Sequence, residues 1–179
     1  MIEKRLNILM VEDTKMDETL IKRHLLKAIP NALITVARNK ADFLEKIEWL
    51  VPDLVLSDFN LPDINGLDIL LNVREKFPFV SFIFVTGALN NEEKVAHSIL
   101  QGASGYVLKE NLKQLPEKLI EVLQKAEQQQ QAAAEEERRW RDAGISLQQA
   151  TALLEKAPDF DKKEKILSLI SEALVSIQE

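Results

Sequence analysis

The sequence predicts an α/β domain, with an open parallel sheet that carries helices on both faces, followed by a helical extension. Three observations support this prediction. Five short runs rich in Val, Ile, Leu and Phe occur before Lys125, as in strands buried on both faces. Segments with an apolar period near 3.6 residues separate these runs. Beyond Glu127 the composition changes to strong helix formers, so a separate helical region is expected there.

The five apolar runs are each of a length that suits a strand. They are Leu6–Val11, Leu33–Ala37, Leu54–Ser57, Ser81–Val85 and Gly105–Leu108. A helical pattern follows each run, with apolar positions that include Leu20, Ile21 and Leu25, then Phe43, Leu44 and Ile47, then Leu67, Leu70 and Val73, then Val95, Ile99 and Leu100, and finally Leu115, Leu119 and Val122. Five βα units joined by right-handed crossovers form a parallel sheet. In such a sheet, ligands bind beyond the carboxyl ends of the strands.

The region 127–179 is predicted to contain an extended helix and two short amphipathic helices. The helix that starts near Leu115 is expected to continue as far as Gly144, because glycine commonly ends helices. Ser146 with Gln149 has the capping-box pattern for a short helix, which Pro158 ends. Asp161 with Glu164 repeats that pattern. It opens a last helix with an apolar face formed by Ile166, Leu169, Ile170, Ala173, Leu174 and Ile177.

The composition argues against several classes of protein. No apolar run approaches the roughly 18 residues that a membrane-spanning helix needs, so membrane insertion is not expected. The chain has no cysteine, which rules out disulfides and thiolate metal sites and favours a cytoplasmic location. The net charge is −6, whereas binding to a nucleic-acid backbone depends on clustered Lys and Arg. Nucleic acid is therefore not an expected partner.

Polar side chains follow four of the five predicted strands. Glu12 and Asp13 follow the first, Asp58 the third, Thr86 the fourth and Lys109 the fifth. Three carboxylates at one edge repel one another, and a hard divalent cation with oxygen ligands, most simply Mg²⁺, relieves that repulsion. The lysine and the hydroxyl complete a pocket for a tetrahedral anion. These are the groups that phosphoryl transfer to an aspartate requires.

Four segments of the chain resemble the signature segments of bacterial response-regulator receiver domains, the family of the chemotaxis regulators. They are Val11-Glu12-Asp13, Leu56-Ser57-Asp58-Phe59-Asn60-Leu61-Pro62, Val85-Thr86-Gly87 and Tyr106-Val107-Leu108-Lys109. The resemblance covers roughly Leu6 to Lys125, and we place the predicted receiver domain at residues 1–126. It implies a flavodoxin-like sheet with the strand order 2-1-3-4-5. Residues 127–179 lie outside it.

The resemblance implies a role for each matched residue. Asp58 accepts a phosphoryl group from a sensor histidine kinase or a phosphotransfer protein, as in a phosphorelay. Lys109 pairs with the phosphoryl oxygens. Thr86 moves inward to hydrogen-bond the phosphoryl group, and Tyr106 rotates into the space that Thr86 leaves, which changes a protein-binding surface. The metal, Mg²⁺ with Mn²⁺ as an alternative, is held by Glu12 through a water molecule, Asp13, Asp58 and the backbone carbonyl of Asn60.

The resemblance also implies a signalling domain that catalyses only its own phosphorylation and dephosphorylation, rather than an enzyme. The alternative for the whole chain is a hydrolase-like enzyme that forms an aspartyl phosphate while it turns over small phosphate esters. Such enzymes place a general acid-base carboxylate two residues after the nucleophile, where this chain has Asn60. A neutral amide cannot deprotonate a water molecule, so the signalling function is favoured.

Two hypotheses remain for residues 127–179. In the first, the helices mediate homodimerisation or output, because two short amphipathic helices cannot bury their apolar stripes alone. In the second, the region is a linker to an effector or kinase module that is missing here. A DNA-binding role is disfavoured, since the region has seven Lys or Arg against eleven Asp or Glu.

Overall fold

A computed structural model of the protein describes residues 2–87 and 100–178, with side chains as far as Val175. The chain divides into two compact units, Met1–Glu127 and Gln128–Glu179. The helix predicted around Val95 and Ile99 lies outside the described residues. Within the described part of the chain, no helix combines the length and the apolar character needed to cross a bilayer.

The first unit alternates strands and helices. Its elements are β1 (Asn7–Val11), α1 (Lys15–Ala28), β2 (Leu33–Ala37), α2 (Lys40–Trp49), β3 (Leu54–Ser57), α3 (Gly66–Lys76), β4 (Ser81–Thr86), β5 (Gly105–Leu108) and a 3-10 helix (Lys109–Gln114). Helix α4 (Leu115–Lys156) starts in this unit and runs into the second, where α5 (Lys163–Gln178) follows. Three strands have the predicted bounds. β1 starts one residue later than predicted, and β4 extends one residue further, to Thr86.

The sheet has five parallel strands in the order β2-β1-β3-β4-β5, which confirms the predicted fold class. Successive residues of a strand point to opposite faces, so the sheet supports two separate cores. Ile8 and Met10 pack in the core beneath α1 and the first turns of α4, whereas Leu9 and Val11 pack in the core beneath α2 and α3. The two cores fix the register of the central strands, and with it the positions of the residues that follow each strand.

The second unit differs from the prediction at Gly144. The helix does not end there but continues to Lys156, so the region has one extended helix and one further helix rather than two short ones. A glycine that ends a helix usually adopts positive φ. Among the described glycines only Gly102 has positive φ, so Gly144 lacks the backbone conformation of a helix end. Glycine inside a helix costs about 1 kcal/mol relative to alanine, and the helix formers on both sides offset that cost.

The predicted helix starts in this unit are also wrong in detail. The Ser146 hydroxyl donates to the Asp142 carbonyl (2.9 Å), which is the contact of a serine inside a helix and not that of an N-cap. Helix α5 begins at Lys163, and the Ile166 N–H donates to the Lys162 carbonyl (3.0 Å). Lys162 is therefore the N-cap, one position after the predicted Asp161.

Within residues 128–175, no side chain is fully buried. The partly covered side chains form one stripe on each helix, with Leu147, Ala150 and Leu154 on α4 and Ile170, Ala173 and Leu174 on α5. Other apolar side chains remain in water, including Leu153 at 72% and Leu169 at 56% exposure. The two helices thus leave apolar surface uncovered in this chain.

Candidate functional site

The carboxyl ends of four neighbouring strands bring the predicted site residues to one edge of the sheet. Val11 is paired with Ser57, so Glu12 and Asp13 after β1 lie beside Asp58 after β3. The Asp58 N–H donates to the Val11 carbonyl (3.0 Å), which extends this alignment by one residue. Thr86 is paired with Leu108, so Thr86 lies beside the strand that ends immediately before Lys109.

Three carboxylates converge at this edge. One oxygen each of Glu12, Asp13 and Asp58 lies within 4.8 Å of the others. Glu12 and Asp58 are buried, whereas Asp13 is exposed. Burial raises the pKa of Glu12 above its ordinary value, although Lys109 acts in the opposite direction. This edge therefore concentrates negative charge where little water can screen it.

Lys109 is the cation of the site. Its ammonium donates to Asp58 Oδ2 (2.6 Å) and to Asp17 Oδ2 (2.7 Å), and it forms an ion pair with Glu12 Oε2 (2.8 Å). Burial by itself lowers the pKa of Lys109, but the contacts with these three carboxylates outweigh burial and raise it above its ordinary value. Lys109 is therefore a fixed positive charge at neutral pH.

Backbone and hydroxyl groups orient Asp58. The Asn60 N–H donates to Asp58 Oδ1 (3.2 Å), and the Ser57 hydroxyl donates to the Asp58 carbonyl (2.8 Å). With Lys109 on Oδ2, both carboxylate oxygens accept a hydrogen bond, which fixes the orientation of the Asp58 carboxylate. The role expected for the Asn60 carbonyl remains a prediction.

The chain turns closely behind Asp58 as it enters α3. A Cβ atom on Gly66 would lie 2.7 Å from both the Asp58 carbonyl oxygen and Phe59 Cα. The Gly66 N–H donates to the Phe59 carbonyl (2.9 Å), and the Asn65 side chain caps the helix by accepting from the Leu67 N–H (2.9 Å). Only glycine allows this close approach, so Gly66 fixes the backbone that carries Asp58.

Thr86 and Tyr106 differ in their surroundings. The Thr86 hydroxyl is fully buried and has no hydrogen-bond partner among the described residues. A buried hydroxyl without a partner is costly, and a ligand oxygen could satisfy it. Tyr106 lies on β5, where its side chain is 42% exposed between the buried Gly105 and Val107. The switch role predicted for Tyr106 remains a prediction.

The residues present suit a Mg²⁺ ion. Mg²⁺ takes oxygen ligands, usually one or two carboxylates, and keeps several waters. Glu12 Oε2 is buried and has no hydrogen-bond partner among the described residues. Lys109 lies close to this oxygen as an ion pair, but the geometry is not that of a hydrogen bond. The exposed Asp13 offers a carboxylate on the side open to water. The donor set and its partial exposure therefore fit a hard divalent cation.

Asp17 is the site residue that the sequence analysis missed. It lies in the first turn of α1, and its carboxylate contacts Lys109 across 92 residues of sequence. Acidic residues are common in the first turn of a helix because they interact favourably with the helix dipole. An aspartate at this position therefore does not by itself indicate a site residue. Asp13 precedes α1, so no helical spacing links the two acids, and the partner of Asp17 is 92 residues away in sequence.

Glu18, the next residue, forms a separate buried network. It is 2% exposed and pairs with Lys15 (3.1 Å), Lys22 (2.7 Å) and Arg38. The hydrogen bond from Lys22 is the main cause that lowers the pKa of Glu18 to about 2, against the opposing effect of burial. This network joins α1 to the residue that follows β2, beside the functional edge.

Comparison with known proteins agrees with the geometry. Residues 8–124 match the family described as response regulator receiver domain. The chain is 31% identical over 167 residues to the nitrate/nitrite response regulator protein NarL of Escherichia coli, an alignment covering 93% of this chain and 76% of that protein. It is 26% identical over 121 residues to the chemotaxis protein CheY of Listeria monocytogenes, covering 68% of this chain and 98% of that one. A CheY-like receiver domain structure from Methanospirillum hungatei covers 70% of this chain and 99% of its own, with 29% identity and a TM-score of 0.63.

Proposed function

The chain belongs to the response regulator receiver domain family, and from this premise we propose that Asp58 is the residue that accepts the phosphoryl group. Receiver domains are signalling domains of two-component systems and not classical enzymes. The observation that carries the proposal is the buried Asp58 carboxylate, which has Lys109 at 2.6 Å and two further carboxylates beside it. A nucleophile, a fixed cation and a set of metal ligands thus meet at one strand edge.

Phosphorylation begins with attack of an Asp58 carboxylate oxygen on phosphorus. The phosphorus–nitrogen bond of a donor phosphohistidine breaks, and the histidine nitrogen keeps the bonding electron pair. The product is an acyl phosphate on Asp58. Lys109 pairs with the phosphoryl oxygens, and the Thr86 hydroxyl donates a hydrogen bond that the described structure does not otherwise use. Dephosphorylation is a separate hydrolysis, in which water attacks phosphorus and gives up a proton to solvent, the bond from phosphorus to the Asp58 oxygen breaks, and inorganic phosphate is released.

Glu12, Asp13, Asp58 and the Asn60 carbonyl would hold Mg²⁺, or Mn²⁺ in its place. When bound, the ion supplies positive charge that offsets the charge on the phosphoryl oxygens. The converging carboxylate oxygens support this assignment. The long reach of the Glu12 side chain suits a contact made through a water molecule.

The phosphoryl group then changes a protein-binding surface. Inward movement of Thr86 leaves space that the half-exposed Tyr106 enters, so a local change of charge becomes a change of surface. The phosphodonor is a sensor histidine kinase or a phosphotransfer protein. The protein catalyses only its own modification, since Asn60 offers no carboxylate for rapid turnover. The predicted cytoplasmic location and lack of nucleic-acid binding remain predictions.

We also propose that the region 127–179 mediates homodimerisation or output, separately from the receiver at residues 1–126. The support is the exposed apolar surface of α4 and α5, which lack a fully buried residue over 128–175. A second copy of the chain would cover these stripes as a helical bundle. The alternative is a linker to a further effector or kinase module.

Chemical trapping tests the identity of the phosphoacceptor. Acetyl phosphate and Mg²⁺ would be incubated with the protein, and borohydride would then reduce the acyl phosphate to an alcohol, which converts aspartate to homoserine. Peptide mass spectrometry is expected to find homoserine at position 58. Homoserine at position 13 in place of 58 would overturn the assignment.

A further inference from the structure

Asp17 stands apart from the other carboxylates of the site. Glu12, Asp13 and Asp58 follow strand ends and their oxygens converge, whereas Asp17 comes from the first turn of α1 and is not part of that cluster. Its side chain is 27% exposed and its contact at the site is the hydrogen bond to Lys109 (2.7 Å). Any effect of Asp17 on the chemistry should therefore pass through Lys109.

Lys109 contacts two of the carboxylates that a metal ion would use. Its ammonium lies 2.6 Å from Asp58 Oδ2 and 2.8 Å from Glu12 Oε2, and both residues belong to the converging cluster. An ammonium group and a divalent cation on the same pair of carboxylates repel each other, so each weakens the binding of the other. Binding of the ion therefore favours release of at least one of the two carboxylates by Lys109.

Asp17 is a hydrogen-bond acceptor for the Lys109 ammonium outside the metal-binding carboxylates. A lysine side chain has many rotamers, so without a partner Lys109 would move away from the site when the ion bound. We propose that Asp17 is a positioning residue that holds Lys109 at the rim of the site when Mg²⁺ occupies Glu12 and Asp58. Lys109 then stays within reach of the incoming phosphoryl oxygens. The inference rests on the proposed function, because it assumes that the carboxylates bind Mg²⁺.

A double-mutant cycle on the full chain tests the inference. Mg²⁺ affinity would be measured by calorimetry for the wild type, Asp17→Asn, Lys109→Met and the double variant. Asp17→Asn is expected to weaken Mg²⁺ binding roughly fivefold, since the release of Lys109 from the metal-binding carboxylates then costs more without an acceptor for its ammonium. Lys109→Met is expected to tighten binding. In the Lys109→Met background, Asp17→Asn should change the affinity by less than about twofold.

Two further variants complete the test. Asp17→Glu keeps the charge and is expected to bind Mg²⁺ within about twofold of the wild type. Glu75→Gln removes an equal charge from the last turn of α3, at the opposite edge of the sheet, and should leave the affinity unchanged. Thermal unfolding would verify that each variant is folded.

The outcomes separate the inference from the proposed function. Equal weakening by Asp17→Asn with and without Lys109 would mean that Asp17 acts through its own charge, and the inference would be wrong. No effect of Asp17→Asn in either background would also overturn it. If the wild type binds Mg²⁺ but takes up no phosphoryl group, the proposed function fails while the cycle still decides the role of Asp17. If the wild type binds no Mg²⁺, both fail.

Discussion

Lys109 Nζ lies 2.6 Å from Asp58 Oδ2, although 51 residues separate the two in sequence. The contact exists because β3 and β5 flank β4 in one parallel sheet and both end at the same edge. It joins the proposed phosphoacceptor to the one cation that reaches the converging carboxylates within the described structure. The short distance places the positive charge of Lys109 directly on the proposed nucleophile.

We expect Thr86→Val to stabilise the protein by about 1 kcal/mol and to impair switching. The Thr86 hydroxyl is buried and unpaired among the described groups, so an apolar side chain of the same shape removes a desolvation cost. Urea unfolding would measure the difference. Ser57→Ala is the matched control, because the Ser57 hydroxyl donates to the Asp58 carbonyl, and its loss should cost about 1 kcal/mol. A destabilised Thr86→Val variant would indicate a hydrogen-bond partner that the described residues do not include.

Gly66→Ala should destabilise the protein by about 2 kcal/mol, because the new Cβ would meet backbone atoms at 2.7 Å. The displaced backbone carries Asp58, so the rate of phosphorylation should fall as well. Gly87→Ala is a stability control, since among the described residues, its chain neighbours aside, the nearest atom to its new Cβ is Lys109 Cδ at 4.0 Å. Unfolding curves that coincide for Gly66→Ala and the wild type would contradict the close approach.

Glu18→Gln should lower the free energy of unfolding by about 2 kcal/mol at pH 7, since it leaves three cations around a neutral side chain. The pKa of Glu18 is lowered to about 2 from an ordinary 4.5, so its contribution is complete above pH 4.5. The contribution is lost as the pH falls from 4.5 towards 2. Urea unfolding at pH 7, 5 and 3 should therefore show a difference that shrinks at the lowest pH.

Glu121→Gln is the control for this pH dependence. Glu121 pairs with Lys118 on the surface of α4, where its side chain is 63% exposed, and a surface pair contributes little. Its substitution should change stability by less than about 0.5 kcal/mol at each pH. A Glu18→Gln difference that stays constant from pH 7 to pH 3 would refute the charged network.

Leu169→Glu should weaken self-association if the C-terminal helices form a dimer. Leu169 is 56% exposed on α5, so the substitution leaves the folded chain intact but places a charge in the proposed interface. Sedimentation velocity of the full chain, with and without phosphorylation, would measure the change. Leu71→Glu is the matched control, because Leu71 is 45% exposed on α3 of the first unit. A wild type that is monomeric in both states would end the dimer proposal.

The sequence predicted which residues meet at the carboxyl edge of the sheet, because each of them is marked by a neighbouring run of buried apolar residues. Glu12, Asp58, Thr86 and Lys109 each stand directly at or after an apolar run, and the order of parallel strands places such residues together. Asp17 was not predicted, since a first-turn acid is explained equally well by the helix dipole and its partner lies 92 residues away. Gly144 was predicted to end a helix, but neighbouring helix formers outweighed the modest cost of one glycine.

Intact-mass spectrometry after incubation with acetyl phosphate tests the central claim most directly. The full chain would be compared with Asp58→Asn, each with Mg²⁺ and with excess EDTA. We predict a gain of about 80 Da, the mass of one phosphoryl group, in the wild type with Mg²⁺ and in none of the other three samples. Folded wild-type protein that gains no mass, or Asp58→Asn protein that gains as much as the wild type, would contradict the assignment of Asp58.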